Sequence, residues 1–181
     1  MKKWFFYFAL AGFLSGLTVH VLSVAGFDVK ERIPFVWVLH IGIFLIWLPV
    51  ILELRKNEEL RSLQDSGSIR SLNPKVMFSI LFKNTPRWLI ILIICCFVYA
   101  VINFVLFIIS GPGNVEMRNG QYTLESNGKT IAVLTESRYH YYRSQQLRGF
   151  SGHWIAFYAA VLGILYPMIF GSKKRNKEQQ P

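Results

Sequence analysis

Apolar residues in this chain fall into four long runs that are separated by polar segments. The runs contain no Lys, Arg, Asp or Glu. Each approaches the roughly 20 residues that an α-helix needs to cross about 30 Å of hydrocarbon, and helices this long and this free of charge are rare in soluble proteins. The pattern therefore predicts a membrane protein of the all-α class, with four transmembrane helices at about residues 4–26, 35–52, 88–110 and 154–170.

The polar segment between the third and fourth runs, residues 111–153, has a different periodicity. Within it, "GQYTLESNGKTIAVLT" alternates apolar and polar residues around an Asn-Gly pair at 127–128, which is typical of a two-residue hairpin turn. A second Asn-Gly pair at 119–120 favours a further strand over residues 115–118. Because such a ribbon is marginal in water by itself, we expect it to pack on a helix or on the mouth of the bundle.

A helix is predicted after the hairpin, over residues 136–147, because Thr135 is a suitable N-cap. The next stretch, "LRGFSGHW" at 147–154, contains two glycines that predict a sharp joint between this outer helix and the fourth span. His153 and Trp154 are then expected to anchor the joint at the level of the lipid headgroups, where aromatic residues are enriched. The expected cap is a small β-hairpin plus a helix.

The polar segment between the second and third runs, residues 53–87, is expected to hold two helical pieces. Residues 53–64 are predicted to continue the second helix into water. Asn73 as cap and Pro74 at the first helical position predict a short helix over "KVMFSILFKN". This helix either lies in the membrane interface or packs under the bundle.

The formal net charge of +10 is unevenly distributed about the four predicted spans. Thirteen Lys and Arg residues lie on the side of the two termini and seven lie on the other side. This bias explains the charge by the positive-inside rule, so nucleic acid is not expected as a partner. We therefore predict a single multi-pass domain over residues 1–181 in a bacterial inner membrane, with a cytoplasmic segment 53–87, an outer segment 111–153 and a cytoplasmic tail 171–181.

One part of the chain resembles a known pattern. The run "NGQYTLESNGKTIAVLTESRYHYYRSQQLRGFSGHWIAFY" covers 119–158 and holds a Gly-x-Tyr hairpin, a Thr-Glu helix start, and Arg-Gly-Phe-Ser-Gly-His-Trp leading into a span. It resembles a family of small bacterial inner-membrane proteins to which no activity is assigned. The resemblance implies a bacterial membrane setting and carries over no catalytic residue.

Each predicted span carries one hydrogen-bonding side chain at a similar depth in the outer half of the membrane. This polar layer comprises His20, His40, Asn103 and Tyr158. Polar groups inside spans are costly, so they mark either contacts between helices or a functional site. Gly12, Gly16 and His20 recur every four residues, a small-residue stripe that predicts close helix packing and an inward-facing His20.

Three interpretations of the polar layer stay open. The four side chains would hydrogen-bond one another and fix the register of the helices. Alternatively, His20 and His40 would act as the two axial ligands of haem b, since they lie at one depth on antiparallel helices. In the third interpretation, the layer lines a small polar cavity for a quinone, a lipid headgroup or a permeant solute.

Enzymatic activity is not expected from the remaining motifs. Cys95 and Cys96 are adjacent and lie inside the third span, whereas membrane thiol oxidoreductases need separated cysteine pairs at the surface. Glu136 and His140 share a helix face and would bind zinc together with His153, or form a simple exposed ion pair. No serine-histidine-aspartate set and no phosphate-binding glycine loop is recognisable.

The outer helix has the Tyr and Arg content that is common at protein interfaces. The residues expected to contact a partner or lipid are Tyr139, Tyr142, Arg143, Arg148, His153 and Trp154. We therefore predict a non-enzymatic accessory protein that binds membrane lipids and another membrane or periplasmic protein. The alternatives are a haem- or quinone-binding protein that uses His20 and His40, and a small oligomeric transporter or channel.

Overall fold

The computed structural model describes residues 2–65, 73–110 and 113–170. Most of these residues are helical, and a small antiparallel sheet lies between the last two helices. The helices are α1 (Lys2–Val24), α2 (Val29–Arg32), α3 (Val38–Leu54), α4 (Glu58–Asp65), α5 (Pro74–Leu81), α6 (Arg87–Ser110) and α7 (Glu136–Phe170). The strands are β1 (Asn114–Arg118), β2 (Gln121–Ser126) and β3 (Lys129–Val133). The predicted tail, 171–181, lies outside the described residues.

Three of these helices, α1, α6 and α7, are long and apolar enough to cross a membrane. The second predicted span corresponds to α3, an apolar helix of 17 residues that is shorter than the other three. Three of the four predicted spans thus correspond to helices of sufficient length and apolarity to cross a membrane. That α3 also crosses the membrane stays a prediction.

Helix α7 is the centre of the bundle, and it packs against α1, α3 and α6. Its middle is rich in small residues, so neighbouring backbones approach it from several sides. Trp154 and Tyr158 are the largest fully enclosed side chains in the described part of the chain. The core therefore follows the axis of α7, and the outward faces of α1, α3 and α6 carry exposed apolar side chains.

The expected joint in "LRGFSGHW" is absent, because α7 runs without a break from Glu136 to Phe170. Its two glycines serve helix packing instead. A Cβ at Gly149 would collide with the Phe107 ring, and a Cβ at Gly152 would lie 2.9 Å from Asn103 Nδ2. A glycine inside a helix costs about 1 kcal/mol relative to alanine, and close contact with α6 offsets that cost here.

The predicted extension of the second helix through residues 53–64 is also wrong. Helix α3 ends at Leu54, and a separate helix, α4, begins at Glu58. Between them, Asn57 Oδ1 accepts hydrogen bonds from the backbone N–H groups of Glu59 and Leu60, at 2.9 and 3.3 Å. Asparagine is a strong N-cap, so it starts a new helix where helical periodicity alone indicated continuation. The predicted Asn73 cap of α5 is confirmed, since its side chain accepts from Lys75 N–H.

The sheet confirms the predicted hairpin and the further strand before it, as a three-stranded meander of order β1-β2-β3 with antiparallel pairing throughout. Both turns are Asn-Gly pairs with positive φ at each residue: 51° and 78° at 119–120, and 50° and 75° at 127–128. Two consecutive positive φ values characterise the type I′ turn that joins twisted strands tightly. The sheet is tied to α7 through a hydrogen bond from Gln146 Nε2 to the carbonyl of Gly113, at 3.2 Å.

The bundle has two chemically distinct ends. The sheet end comprises residues 25–37, the three strands and residues 136–147 of α7. The opposite end, here the α5 end, comprises the start of α1, the end of α3, α4 and α5. At the α5 end, Lys2 pairs with Glu53 at 2.6 Å, and Thr85 Oγ1 donates to the carbonyl of Gly163 at 2.9 Å.

Candidate functional site

His20 is buried between three helices in the half of the bundle nearer the sheet. The buried stripe of α1, which includes Gly12 and Gly16, turns it toward α7 as predicted. Its Nδ1 is 2.8 Å from Ser151 Oγ on α7, and its Nε2 shares a short hydrogen bond with Tyr99 OH on α6. His20 thus links α1, α6 and α7 through both ring nitrogens.

The other members of the polar layer also connect α7 to its neighbours. Trp154 Nε1 donates to His40 Nδ1 on α3 at 3.1 Å. Tyr158 OH donates to the carbonyl of Leu39, also on α3, at 2.8 Å. Asn103 Nδ2 on α6 donates to the backbone carbonyl of Arg148 at 2.9 Å. The side chains of α7 that take part span about 10 Å of the helix.

The hydrogen-bond partners of the polar layer differ from those of the first interpretation. In that interpretation the four side chains bond one another, yet each of them bonds a residue outside the set or a main-chain carbonyl. All of these hydrogen bonds join α7 to a neighbouring helix, except the bond from His20 on α1 to Tyr99 on α6. The reason is that α7 lies in the middle, so the surrounding helices meet it before they meet each other. Ser151, Tyr99 and Leu39 were missed because a single hydroxyl or main-chain carbonyl has no sequence signal of its own.

Haem ligation by His20 and His40 stays a prediction, and the contacts define what it would require. An iron ligand needs a free imidazole nitrogen. Both nitrogens of His20 are in hydrogen bonds, and Nδ1 of His40 accepts from Trp154. Ligation through His20 would therefore break the bond to Ser151 or the bond to Tyr99.

Replacing His20 with leucine is expected to lower the free energy of unfolding by about 1 kcal/mol, because each helix contact of this type contributes about 0.6 kcal/mol on average. The visible absorbance spectrum of the detergent-purified protein is expected to stay featureless before and after the change. Tyr99→Phe, which removes only one of the two bonds, is the matched control and should have about half the effect. A Soret band in the unmodified protein that disappears in the leucine variant would instead establish haem binding.

Arg148 lies on α7 near this layer and is half-buried. Its Nε is enclosed and has no hydrogen-bond partner among the described residues. Its backbone carbonyl accepts from Asn103 and, at 3.3 Å, from Ser151 Oγ. Arg148 was predicted to contact a partner or a lipid. Its side chain, as far as Nε, lies inside the helix bundle.

A charged cluster at the sheet end joins the short loop after α1 to the outer part of α7. The Asp28 side chain is only 2% exposed. Its Oδ2 is 2.8 Å from His140 Nδ1 and 3.1 Å from Arg143 Nε. Although Asp28 stands at the N-cap of α2, its side chain makes no cap hydrogen bond and points to α7 instead. The cluster therefore holds residues 136–147 of α7 against the loop.

The same cluster offers metal-ligand chemistry. One ligand atom each from Asp28, Glu31 and His140 lies within 4.8 Å of the others. Arg143, however, already supplies a positive charge to the Asp28 carboxylate. The alternative zinc set of Glu136, His140 and His153 does not assemble, because His140 turns to Asp28 and His153 packs against the Phe104 ring at 4.9 Å. Asp28 was missed because it is 112 residues from His140 in sequence.

Three of the residues expected to contact a partner or lipid are used inside the fold. The Tyr139 ring stacks on Tyr122 of β2, with centroids 4.5 Å apart, and the Arg143 guanidinium lies 5.3 Å from the Tyr139 ring centre. Trp154 is fully enclosed, which differs from the expected anchor among lipid headgroups. Tyr142 is half-buried, while its neighbour Tyr141 is 51% exposed.

Strand β3 is the most open part of the sheet end. All five of its residues are exposed, and Ile131 and Val133 are 59% and 65% exposed. It is an edge strand, because the sheet ends with it. Leu134 N–H donates to the carbonyl of Tyr122 at 2.8 Å. Since N–H directions alternate along a strand, the N–H of Val133 points away from β2, toward the open edge.

No protein-family model, no curated protein and no solved structure matches this chain. The resemblance of residues 119–158 to bacterial inner-membrane proteins therefore stays a prediction.

Proposed function

We propose that this protein is a four-span, non-enzymatic accessory component of a bacterial inner membrane that recruits a partner protein through the edge of its sheet. In this topology both termini are cytoplasmic and the sheet end faces outward. The charge bias supports the orientation, because 13 of the 20 Lys and Arg residues fall on the α5 side of the predicted spans. Helix α3 is the second of the four spans, and its length of about 25 Å suits a slightly thinned bilayer.

The observation that carries the proposal is the open edge of β3. An edge strand presents unpaired backbone groups, and soluble proteins usually protect such edges with charge, proline or a covering element. Here the edge combines an outward N–H at Val133 with two bare β-branched side chains, Ile131 and Val133. Only Lys129, at the start of the strand, bears a charge. Such an edge suits a partner that adds an extended strand, since main-chain bonds give affinity and apolar contacts give specificity.

The remainder of the sheet end provides a rigid support for that edge. Tyr122 and Tyr139 stack, and the Asp28 cluster holds the helix to which Tyr139 belongs. A preorganised edge loses little conformational entropy on binding, so more of the contact energy remains as binding free energy. This is the role expected of an accessory protein that presents a fixed surface.

Replacing Val133 with proline is expected to abolish partner capture while the protein still folds. Proline removes the outward N–H of Val133 and leaves the β2–β3 hydrogen bonds in place. The measurement is site-specific photocrosslinking in intact cells from position 131, with yield read by gel mobility and mass spectrometry. We expect a discrete adduct in the parent chain and at least a tenfold lower yield in Val133→Pro, about 1.4 kcal/mol of lost binding.

Val133→Thr is the matched control, because threonine keeps the N–H and the β-branched shape. A crosslinker at Glu116 on the opposite edge strand is the positional control and should give little adduct. Labelling of a cysteine at 130 by a membrane-impermeant reagent, in a Cys95→Ala, Cys96→Ala background, checks that the sheet faces outward. Equal adduct yield from the proline and threonine variants would contradict strand addition, and an adduct of two copies of this chain would replace the accessory role by self-assembly.

A further inference from the structure

The α5 end contains a cavity of about 540 Å³ between α1, α3 and α7. Its size falls within the roughly 300–1,000 Å³ that small-molecule sites occupy. Its walls are mainly apolar, and its charged lining comes from Lys2 at the start of α1, Glu53 near the end of α3 and Lys56 just after α3. The apolar lining residues are Phe5, Pro49, Val50, Leu52 and Leu165.

The proline in α3 helps to define this space. Pro49 has no backbone N–H, so α3 lacks one helical hydrogen bond at this level and its last turn is free to diverge. Val50 and Leu165 are buried at the base of the cavity, with 1% and 2% of their surface exposed. Leu52 is 52% exposed, so one wall opens toward the outside of the bundle. A flexible apolar chain can therefore enter sideways.

The mouth of the cavity carries a net positive charge. Lys2 Nζ is 2.6 Å and Lys56 Nζ is 3.1 Å from the two carboxylate oxygens of Glu53. The Glu53 carboxylate is thus paired with both ammonium groups. Two cations against one anion leave one positive charge. Both lysines are largely exposed, at 48% and 73%, and are able to turn toward an incoming anion.

We propose that this cavity is a binding site for one anionic phospholipid, with an acyl chain between α1, α3 and α7 and the phosphate at Lys2 and Lys56. A lipid fits both parts of the site, because its tail matches the apolar walls and its headgroup lies where the apolar helices end. Neutral lipids share the tail contact but lack the charge contact. The site lies at the opposite end from β3, so it is independent of the partner proposed there.

The experiment is native mass spectrometry of the full chain in detergent, titrated with phosphatidylglycerol or with phosphatidylcholine of the same acyl chains. We expect one retained phosphatidylglycerol and about fivefold tighter binding than for phosphatidylcholine, as one net charge near a membrane surface contributes about 1 kcal/mol. Lys2→Gln with Lys56→Gln should remove that preference. Lys83→Gln is the matched control: Lys83 pairs with Glu59 at the same end but does not line the cavity.

A second variant tests the cavity itself. Leu52→Trp places a large side chain in the open wall at a half-exposed position that tolerates it, and it should weaken binding of both lipids. Glycerol phosphate, which has the headgroup chemistry without a tail, should bind far more weakly than the lipid. The proposal is overturned if the two lipids bind alike, if Lys83→Gln reduces binding as much as the double change, or if Leu52→Trp has no effect.

Discussion

Replacement of Tyr158 by alanine is expected to lower the free energy of unfolding by about 3 kcal/mol, the lower end of the range for a large aromatic side chain removed from a core. The ring is 1% exposed and lies where α1 and α3 both bring a glycine against it. Any Cβ at Gly12 would overlap the ring, and one at Gly42 would overlap the hydroxyl. Because lipid tails are as apolar as the core, the loss comes from packing and cavity formation.

Two further variants separate packing from hydrogen bonding. Tyr158→Phe keeps the ring and loses only the bond to the Leu39 carbonyl, so it should cost about 1 kcal/mol. Gly12→Ala should destabilise the parent protein yet be tolerated in the Tyr158→Ala background, where the space is empty. The measurement is reversible unfolding in mixed detergent, followed by circular dichroism. Additive effects of the Gly12 and Tyr158 changes would show that the two residues do not share one packing site.

Replacement of Arg143 by methionine is expected to cost about 3 kcal/mol, because it leaves the Asp28 carboxylate buried with one partner fewer. Arg143 is 18% exposed on its side chain and Asp28 is 2% exposed, so water cannot take over the lost contact readily. The change should also make residues 136–147 of α7 more mobile. We therefore expect faster amide hydrogen exchange over residues 136–147 and little change in the middle of the helix.

Asp28→Asn in combination with Arg143→Met should recover most of that loss, since a neutral amide is cheaper to bury than an uncompensated charge. Arg138→Met is the matched control, because Arg138 is an exposed arginine on the same helix. It should change stability by less than about 0.5 kcal/mol. If Arg138→Met costs as much as Arg143→Met, helix-wide charge and not the Asp28 pair holds this part of α7.

The candidate site was partly accessible from sequence. Gly12, Gly16 and His20 recur every four residues, and this spacing predicted that His20 faces inward. Helix α1 buries these three residues against α7. The partners of His20 were not accessible, because Ser151 is 131 residues away and Tyr99 is 79 residues away. Such pairings depend on which helices become neighbours, and short connections alone do not specify that.

Local sequence patterns were sufficient to predict the elements that are stabilised by residues close to one another in sequence. Asn-Gly pairs adopt positive φ with little strain, so they specified both hairpin turns, and the Asn73 cap with Pro74 specified the start of α5. Long apolar runs specified the helices that are able to cross a membrane, because a backbone in lipid must satisfy its own hydrogen bonds.

Tertiary contacts decided the rest. Gly149 and Gly152 favour a break in isolation, but contact with Phe107 and Asn103 keeps α7 continuous over 35 residues. Asp28 in isolation is a helix cap, but Arg143 and His140 draw it to α7. In each case the local preference is worth about 1 kcal/mol, whereas a packed helix interface or a buried ion pair outweighs it. The sequence thus determined which segments are helices and strands, and packing around α7 determined where they break and which side chains meet.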